Sequence, residues 1–98
     1  MKTVSPYRTH MKIVGEILTT ARDDAPDENG ASVTYLIRKA NISHVRISKI
    51  LGTLVSQGLL EQMDSKGACK YKISQSGREF LVAYQTFSRF ADNFGLTI

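Results

Sequence analysis

Two helical repeats of apolar residues are separated by a turn of only two residues, Asn41-Ile42, and few architectures accept that spacing. Before the turn, Leu36, Ile37 and Ala40 form the apolar side of a helix expected over residues 33–40, with Ser32 as its N-cap. After it, Ser43 caps a helix running to about residue 57, and Gly58 stands where a left-handed C-cap is expected. At 100° per residue, Ile47, Ile50, Leu51 and Leu54 fall on one stripe of the second helix, which marks its core side.

The flanking segments complete the pattern. Ile13, Val14, Ile17, Leu18 and Ala21 recur at helical spacing within residues 7–22, the first helix. Residues 23–30 are rich in charge and breakers and read as an exposed loop. Residues 59–64 and 69–73 are strand-like, and residues 65–68 join them as a hairpin with a glycine in its loop. Ser74 then caps a last helix over about residues 75–94. Helix, helix, helix, hairpin, helix describes a winged helix-turn-helix, and a three-helix bundle with an incidental hairpin is its competitor. The expected class is mainly α (α+β): three helices, a two-stranded β-hairpin wing and a C-terminal helix. Residues 1–74 are read as the winged-helix, DNA-binding domain and residues 75–98 as a dimerisation helix of the same compact unit. A chain of 98 residues buries one modest core.

Charge points to a polyanion. The net charge is +4, but residues 31–72 alone carry seven cations against Glu61 and Asp64, while Asp23, Asp24, Asp27 and Glu28 gather in the loop. No stretch is apolar enough to span a membrane, and the first ten residues lack the apolar core of a secretory signal. A single cysteine, Cys69, excludes an internal disulfide and fits a reducing compartment. The expected location is the cytoplasm, in association with the nucleoid.

The outer face of the third helix carries the strongest functional signal. Val45, Arg46, Ser48, Lys49, Gly52, Thr53 and Ser56 lie there, and no acid occurs from Ile42 to Leu60. Solvated helix faces usually mix Glu with Lys. An acid-free face meets no repulsion in a phosphate-lined groove. It offers Arg46 and Lys49 to phosphates or guanine edges and Val45 to a thymine methyl. Ser43 and His44 open that helix and join the expected DNA contacts, His44 as a packing or phosphate-contacting residue. In the hairpin, Cys69, Tyr71 and Ile73 share one face, Lys70 and Lys72 the other, and Lys66 sits at the tip. Three lysines suit a wing that grips phosphates, and they equally suit an edge guarded against aggregation.

The search for catalytic chemistry returns nothing usable. His10 and His44 lack ligand partners, Cys69 belongs to the inner strand face, and no CxxC, phosphate-binding glycine loop or carboxylate pair is present. The chain is expected to be no enzyme and to need no metal or cofactor.

The stretch Ser32-Val33-Thr34 through Ala40-Asn41-Ile42-Ser43 to Gly58-Leu59-Leu60 resembles archaeal winged-helix regulators. Tyr71-Lys72-Ile73-Ser74 and Gly77-Arg78-Glu79-Phe80-Leu81 match that family's second wing strand and its T-x-x-G-x-x-L-L entry into the last helix. The resemblance covers about residues 8–85. It implies double-stranded DNA as partner and a homodimer formed through the C-terminal helix, as in small nucleoid proteins and predicted transcription regulators of the family. In this chain Phe80, Tyr84, Phe87, Ala91 and Phe94 form a heptad-like seam flanked by Leu81 and Phe90, and the seam together with Phe90 is the expected dimer interface.

The leading function is therefore a DNA-binding transcription regulator. Alternatives are a nucleoid packaging protein and a winged-helix module that binds other proteins in a larger complex. RNA binding ranks lower, because the aromatics lie mostly in the last helix and not on the basic face.

Overall fold

The structure, a computed structural model, describes residues 9–23, 30–65 and 68–96. Four helices and three strands follow in the order α1 (His10–Asp23), β1 (Ala31–Ser32), α2 (Val33–Ala40), α3 (His44–Ser56), β2 (Leu60–Ser65), β3 (Ala68–Ile73) and α4 (Gln75–Asp92). This is the winged helix-turn-helix arrangement. Among the described residues no helix is long and apolar enough to cross a membrane. The acids Asp24, Asp27 and Glu28 of the expected loop lie outside the described residues. Asp23 closes α1, where the Arg22 guanidinium hydrogen-bonds its carboxylate at 2.7 Å and holds it below the usual carboxylate range.

Three serines start the three later helices. Ser32, Ser43 and Ser74 are extended in backbone, and their hydroxyls accept from the amides of Tyr35, Arg46 and Gly77 respectively. The turn between α2 and α3 is tight because Asn41 takes a left-handed conformation, φ 56°, with its amide donating to the Ile37 carbonyl at 2.8 Å. Asparagine tolerates this region better than most residues.

The core is one cluster. Ile13, Ile17 and Leu18 of α1 meet Leu36 of α2, Ile47 and Leu51 of α3, Leu60 of β2 and Leu81 of α4. Each of these side chains is buried to under 2% exposure, where burial stabilises by about 1.5–3 kcal/mol apiece.

The wing is larger than the sequence pattern indicates. The expected two-stranded hairpin is a three-stranded antiparallel sheet of order β1-β3-β2. Ala31 pairs with Tyr71 and Ser32 with Lys70, so β3 is the central strand. A two-residue strand shows no alternation to detect, and its second residue, Ser32, doubles as the α2 cap.

The end of α3 and the start of α4 are bound to each other at the base of this sheet. Gly58, φ 80°, closes α3 with its amide on the Val55 carbonyl, and the Leu59 amide reaches the Leu54 carbonyl, a Schellman arrangement. The Ser74 hydroxyl donates to the Gly58 carbonyl at 2.6 Å, and the Ser74 amide donates to the Leu59 carbonyl at 3.2 Å. Gly77 packs so closely here that an added Cβ would collide with the Leu59 carbonyl oxygen and lie 2.8 Å from Ile73 Cγ1.

Two alanine substitutions therefore have opposite expected outcomes. Gly77→Ala forces backbone apart at the junction and is expected to lose about 1–3 kcal/mol. Gly52→Ala fills open space inside a helix and is expected to gain roughly 1 kcal/mol. Urea denaturation of the two variants beside the parent checks both signs.

Candidate nucleic-acid interface

α3 divides cleanly between core and solvent. Ile47, Ile50, Leu51 and Leu54 are buried, whereas His44, Val45, Arg46, Ser48, Lys49, Gly52, Thr53 and Ser56 are exposed. Val45, an apolar side chain, is 68% exposed on this face. Arg46 and Lys49 have no ion-pair partner among the described residues, so their charge is not neutralised within the fold.

The hydroxyls of this helix are already engaged as donors or caps. The Ser43 hydroxyl accepts the Arg46 amide at 3.2 Å. Thr53 Oγ1 donates to the Lys49 carbonyl at 3.2 Å, and Ser56 Oγ to the Thr53 carbonyl at 3.0 Å. His44 Nδ1 lies 3.5 Å from Ser48 Oγ, at the outer limit of a hydrogen bond. The side chains left to grip an anion are thus Arg46 and Lys49. Gly52, with nothing within 4 Å of a Cβ built on it, leaves the middle of the face low.

The register of the wing modifies its charge. Lys72 is exposed and stands opposite Glu61, while Lys70 stands opposite Met63 on one side and Ser32 on the other. Lys70 is half-buried and has an interaction partner. Lys66 lies outside the described residues. In the sequence Glu61 counts only as one of two acids within the basic segment 31–72. Only the pairing frame of the hairpin reveals that it shares a face with both lysines.

On the opposite sheet face, Ile73 is buried and Cys69 and Tyr71 are half-buried. Burial pushes the Tyr71 phenol up to about 12, and its hydrogen bond to Cys69 and the nearby Asp64 charge act in the same direction. Among the described residues no three His, Cys, Asp or Glu side chains gather as a metal site.

The last helix carries a second exposed feature, displaced from the seam read in the sequence. Tyr84 turns inward, its ring edge against Gly15 of α1, where an added Cβ would lie 2.6 Å from Tyr84 Cε2. Ala91 is 4% exposed, and its carbonyl accepts the amides of Phe94 and Leu96. α4 ends at Asp92, so Phe94 stands in the closing turn before Gly95 instead of on the helix. The outward stripe runs through Ala83, Phe87 and Phe90 and, past the helix end, Phe94, while Phe80 at its inner end is half-buried against the core. Phe87 and Phe90 are each 57% exposed and Phe94 67%, and the rings of Phe90 and Phe94 meet edge to face at 5.2 Å. Met11, Phe80, Ala83, Tyr84 and Phe87 line an apolar groove of about 410 Å³ that continues this stripe toward α1.

A family model described as winged helix-turn-helix matches residues 7–92. Among solved structures, the chain is similar to Sso10a-2, a DNA-binding protein from Sulfolobus solfataricus. The TM-score is 0.78 at 24% identity, covering 89% of this chain and 85% of that one. It is also similar to SSV1 F-93, with a TM-score of 0.63 at 14% identity, covering 94% of this chain and 99% of that one. No curated protein sequence matches it.

Tyr71 gives the wing a pH signature. A phenol in the unfolded chain ionises near 10, whereas the folded one waits until about 12. Between these values the folded state holds a proton the unfolded state has lost, so stability falls as pH rises through that window. In Tyr71→Phe the decline of Tm from pH 10 to 12 is expected to be shallower than in the parent, as read by thermal melts across that range.

Proposed function

The chain belongs to the winged helix-turn-helix family, and from that premise we propose that it binds double-stranded DNA as a homodimer and acts as a transcription regulator. The observation that carries the reading is the exposed, acid-free face of α3 with its two unneutralised cations. A helix of 13 residues is about 20 Å long and fits the major groove of B-DNA. In that pose Arg46 and Lys49 reach phosphates or guanine edges, and Val45 reaches a thymine methyl. Ser43, His44, Ser48 and Thr53 border the contact. Gly52 lets the helix backbone approach the groove wall. The wing follows the DNA backbone with Lys72, Lys70 and Lys66, and Glu61 tempers that grip. Sso10a-2, of similar fold, is itself described as DNA-binding, which supports the assignment. Val45 favours a regulator over a packaging protein, because a methyl contact reads bases, whereas packaging needs phosphates alone.

The homodimer rests on the stripe of α4. Phe87, Phe90 and Phe94 are more than half exposed, and Leu96 is 61% exposed beside them. Soluble monomers rarely leave such a patch open. Its spacing of 3 and 4 residues suits a second copy packed about a two-fold axis, which would present two α3 helices to two half-sites. The N-terminal half of α4 belongs to the winged-helix core through Leu81, and its C-terminal half serves as the arm.

Three outcomes are expected. Arg46→Glu with Lys49→Glu abolishes the shift of a generic duplex at low salt while the thermal melt is unchanged, and full binding by this variant overturns the α3 assignment. Gly52→Ala binds more weakly than the parent although it is more stable. Phe87→Asp sediments as a monomer where the parent is a dimer at micromolar concentration, and its DNA affinity falls steeply. Selection from a random duplex pool separates the functions: a defined motif supports a regulator, and none points to packaging.

A further inference from the structure

Away from the phenylalanine stripe, an open cleft of about 670 Å³ lies between α1 and α4, with Lys39 of α2 in its wall. That volume is within the range of sites for small molecules, roughly 300–1,000 Å³. Unlike the apolar groove, this cleft carries hydrogen-bonding groups over about half of its wall, the rest being apolar surface that includes Gly15 and Tyr84.

Three of them stand out. Thr20 is only 8% exposed, and Gln85 and Ser88 are half-buried. None of their hydroxyl or amide groups has a hydrogen-bond partner among the described residues. Neighbouring Thr19, by contrast, donates to the Gly15 carbonyl at 2.7 Å. Buried polar groups are as a rule hydrogen-bonded, so Thr20, buried without a partner in the wall of this cleft, marks a place where a ligand supplies one, and Gln85 and Ser88 stand beside it with their polar groups uncommitted.

The charges define the ligand. Lys12, Lys39 and Arg89 come from three different helices and outnumber Glu16 and Asp92. Glu16 already has an interaction within the chain. Lys39 Nζ is held over the Tyr35 ring, 5.7 Å from its centroid. Cations around unpartnered hydroxyl and amide groups suit an anion that also carries hydroxyls, and Asp92 can accept from such a hydroxyl.

We propose that this cleft binds a small hydroxylated organic anion, a carboxylate or a phosphate ester. Lys39, Arg89 and Lys12 take its charge, and Thr20, Ser88 and Gln85 take its hydroxyls. Bound there, the anion ties the end of α2 to the distal half of α4. No residue of α3 lines the cleft, so the site stands whether or not α3 reads DNA.

Calorimetric titration of the full chain at matched ionic strength tests this, with citrate and glucose 6-phosphate as probes and chloride and glucose as controls. At least one probe is expected to bind saturably, one per chain, citrate indicating a carboxylate site and glucose 6-phosphate a phosphate site. Arg89→Gln and Lys39→Gln, both at exposed positions, are each expected to weaken it about tenfold, the worth of one charge-assisted hydrogen bond. Thr20→Val weakens it further, and Arg46→Gln leaves it unchanged. The proposal is overturned if neither probe exceeds the controls. It is equally overturned if binding survives both Arg89→Gln and Lys39→Gln, or if Arg46→Gln abolishes it. No DNA enters the measurement, so its failure is distinct from failure of the DNA-binding assignment.

Discussion

The placing of α3, the wing and α4 relative to one another depends on the contact of Gly58 and Leu59 with Ser74 and Gly77. The Ser74 hydroxyl both donates to the Gly58 carbonyl and accepts the Gly77 amide, so one side chain ends one helix and begins another. The Ser74 amide holds the Leu59 carbonyl, and Gly77 keeps the approach free of a Cβ. The exit of α3, the base of the wing and the root of α4 are thereby fixed at one point. Core burial stabilises the chain, but burial is non-directional. This junction supplies the direction, setting the angle between α3 and α4.

Much of this was legible in the sequence because the signals are local. A serine ahead of an apolar repeat has few other roles than capping, and Ser32, Ser43 and Ser74 each occupy the cap their position indicates. The stripe Ile47, Ile50, Leu51, Leu54 assigns the outer face of α3 by exclusion, and burial follows it residue by residue. What escaped depends on contacts distant in sequence. The strand Ala31–Ser32 exists only because Tyr71 and Lys70 pair with it. The phase of the α4 stripe is set by Gly15, which draws Tyr84 inward and rotates Ala83 and Phe90 into the places that Tyr84 and Ala91 hold in the simplest heptad reading. Glu61 became part of the wing face through register alone.

The two proposed DNA-facing elements differ in how their charge is arranged. On α3 the cations stand without acids, and every nearby hydroxyl is turned to the helix itself, so the face is stiff and positive. On the sheet, Lys72 faces Glu61 across the strand pair and Lys70 is flanked on both sides. Under screening by physiological salt, an isolated lysine and a lysine beside a glutamate attract a phosphate unequally. Affinity on this reading is concentrated in α3, and the wing contributes alignment more than strength.

The hydrogen bond from Ser74 to Gly58 spans 16 positions of sequence and closes the wing into a loop with a fixed neck. Chain entropy makes such a loop tolerant of growth: each doubling of its length costs only about 0.6 kcal/mol. Residues added at the tip would therefore lengthen the hairpin without altering the angle between α3 and α4. The neck separates what must stay constant in this protein from what is free to vary, and descendants of the fold can change the length of the hairpin while α3 and α4 keep their places.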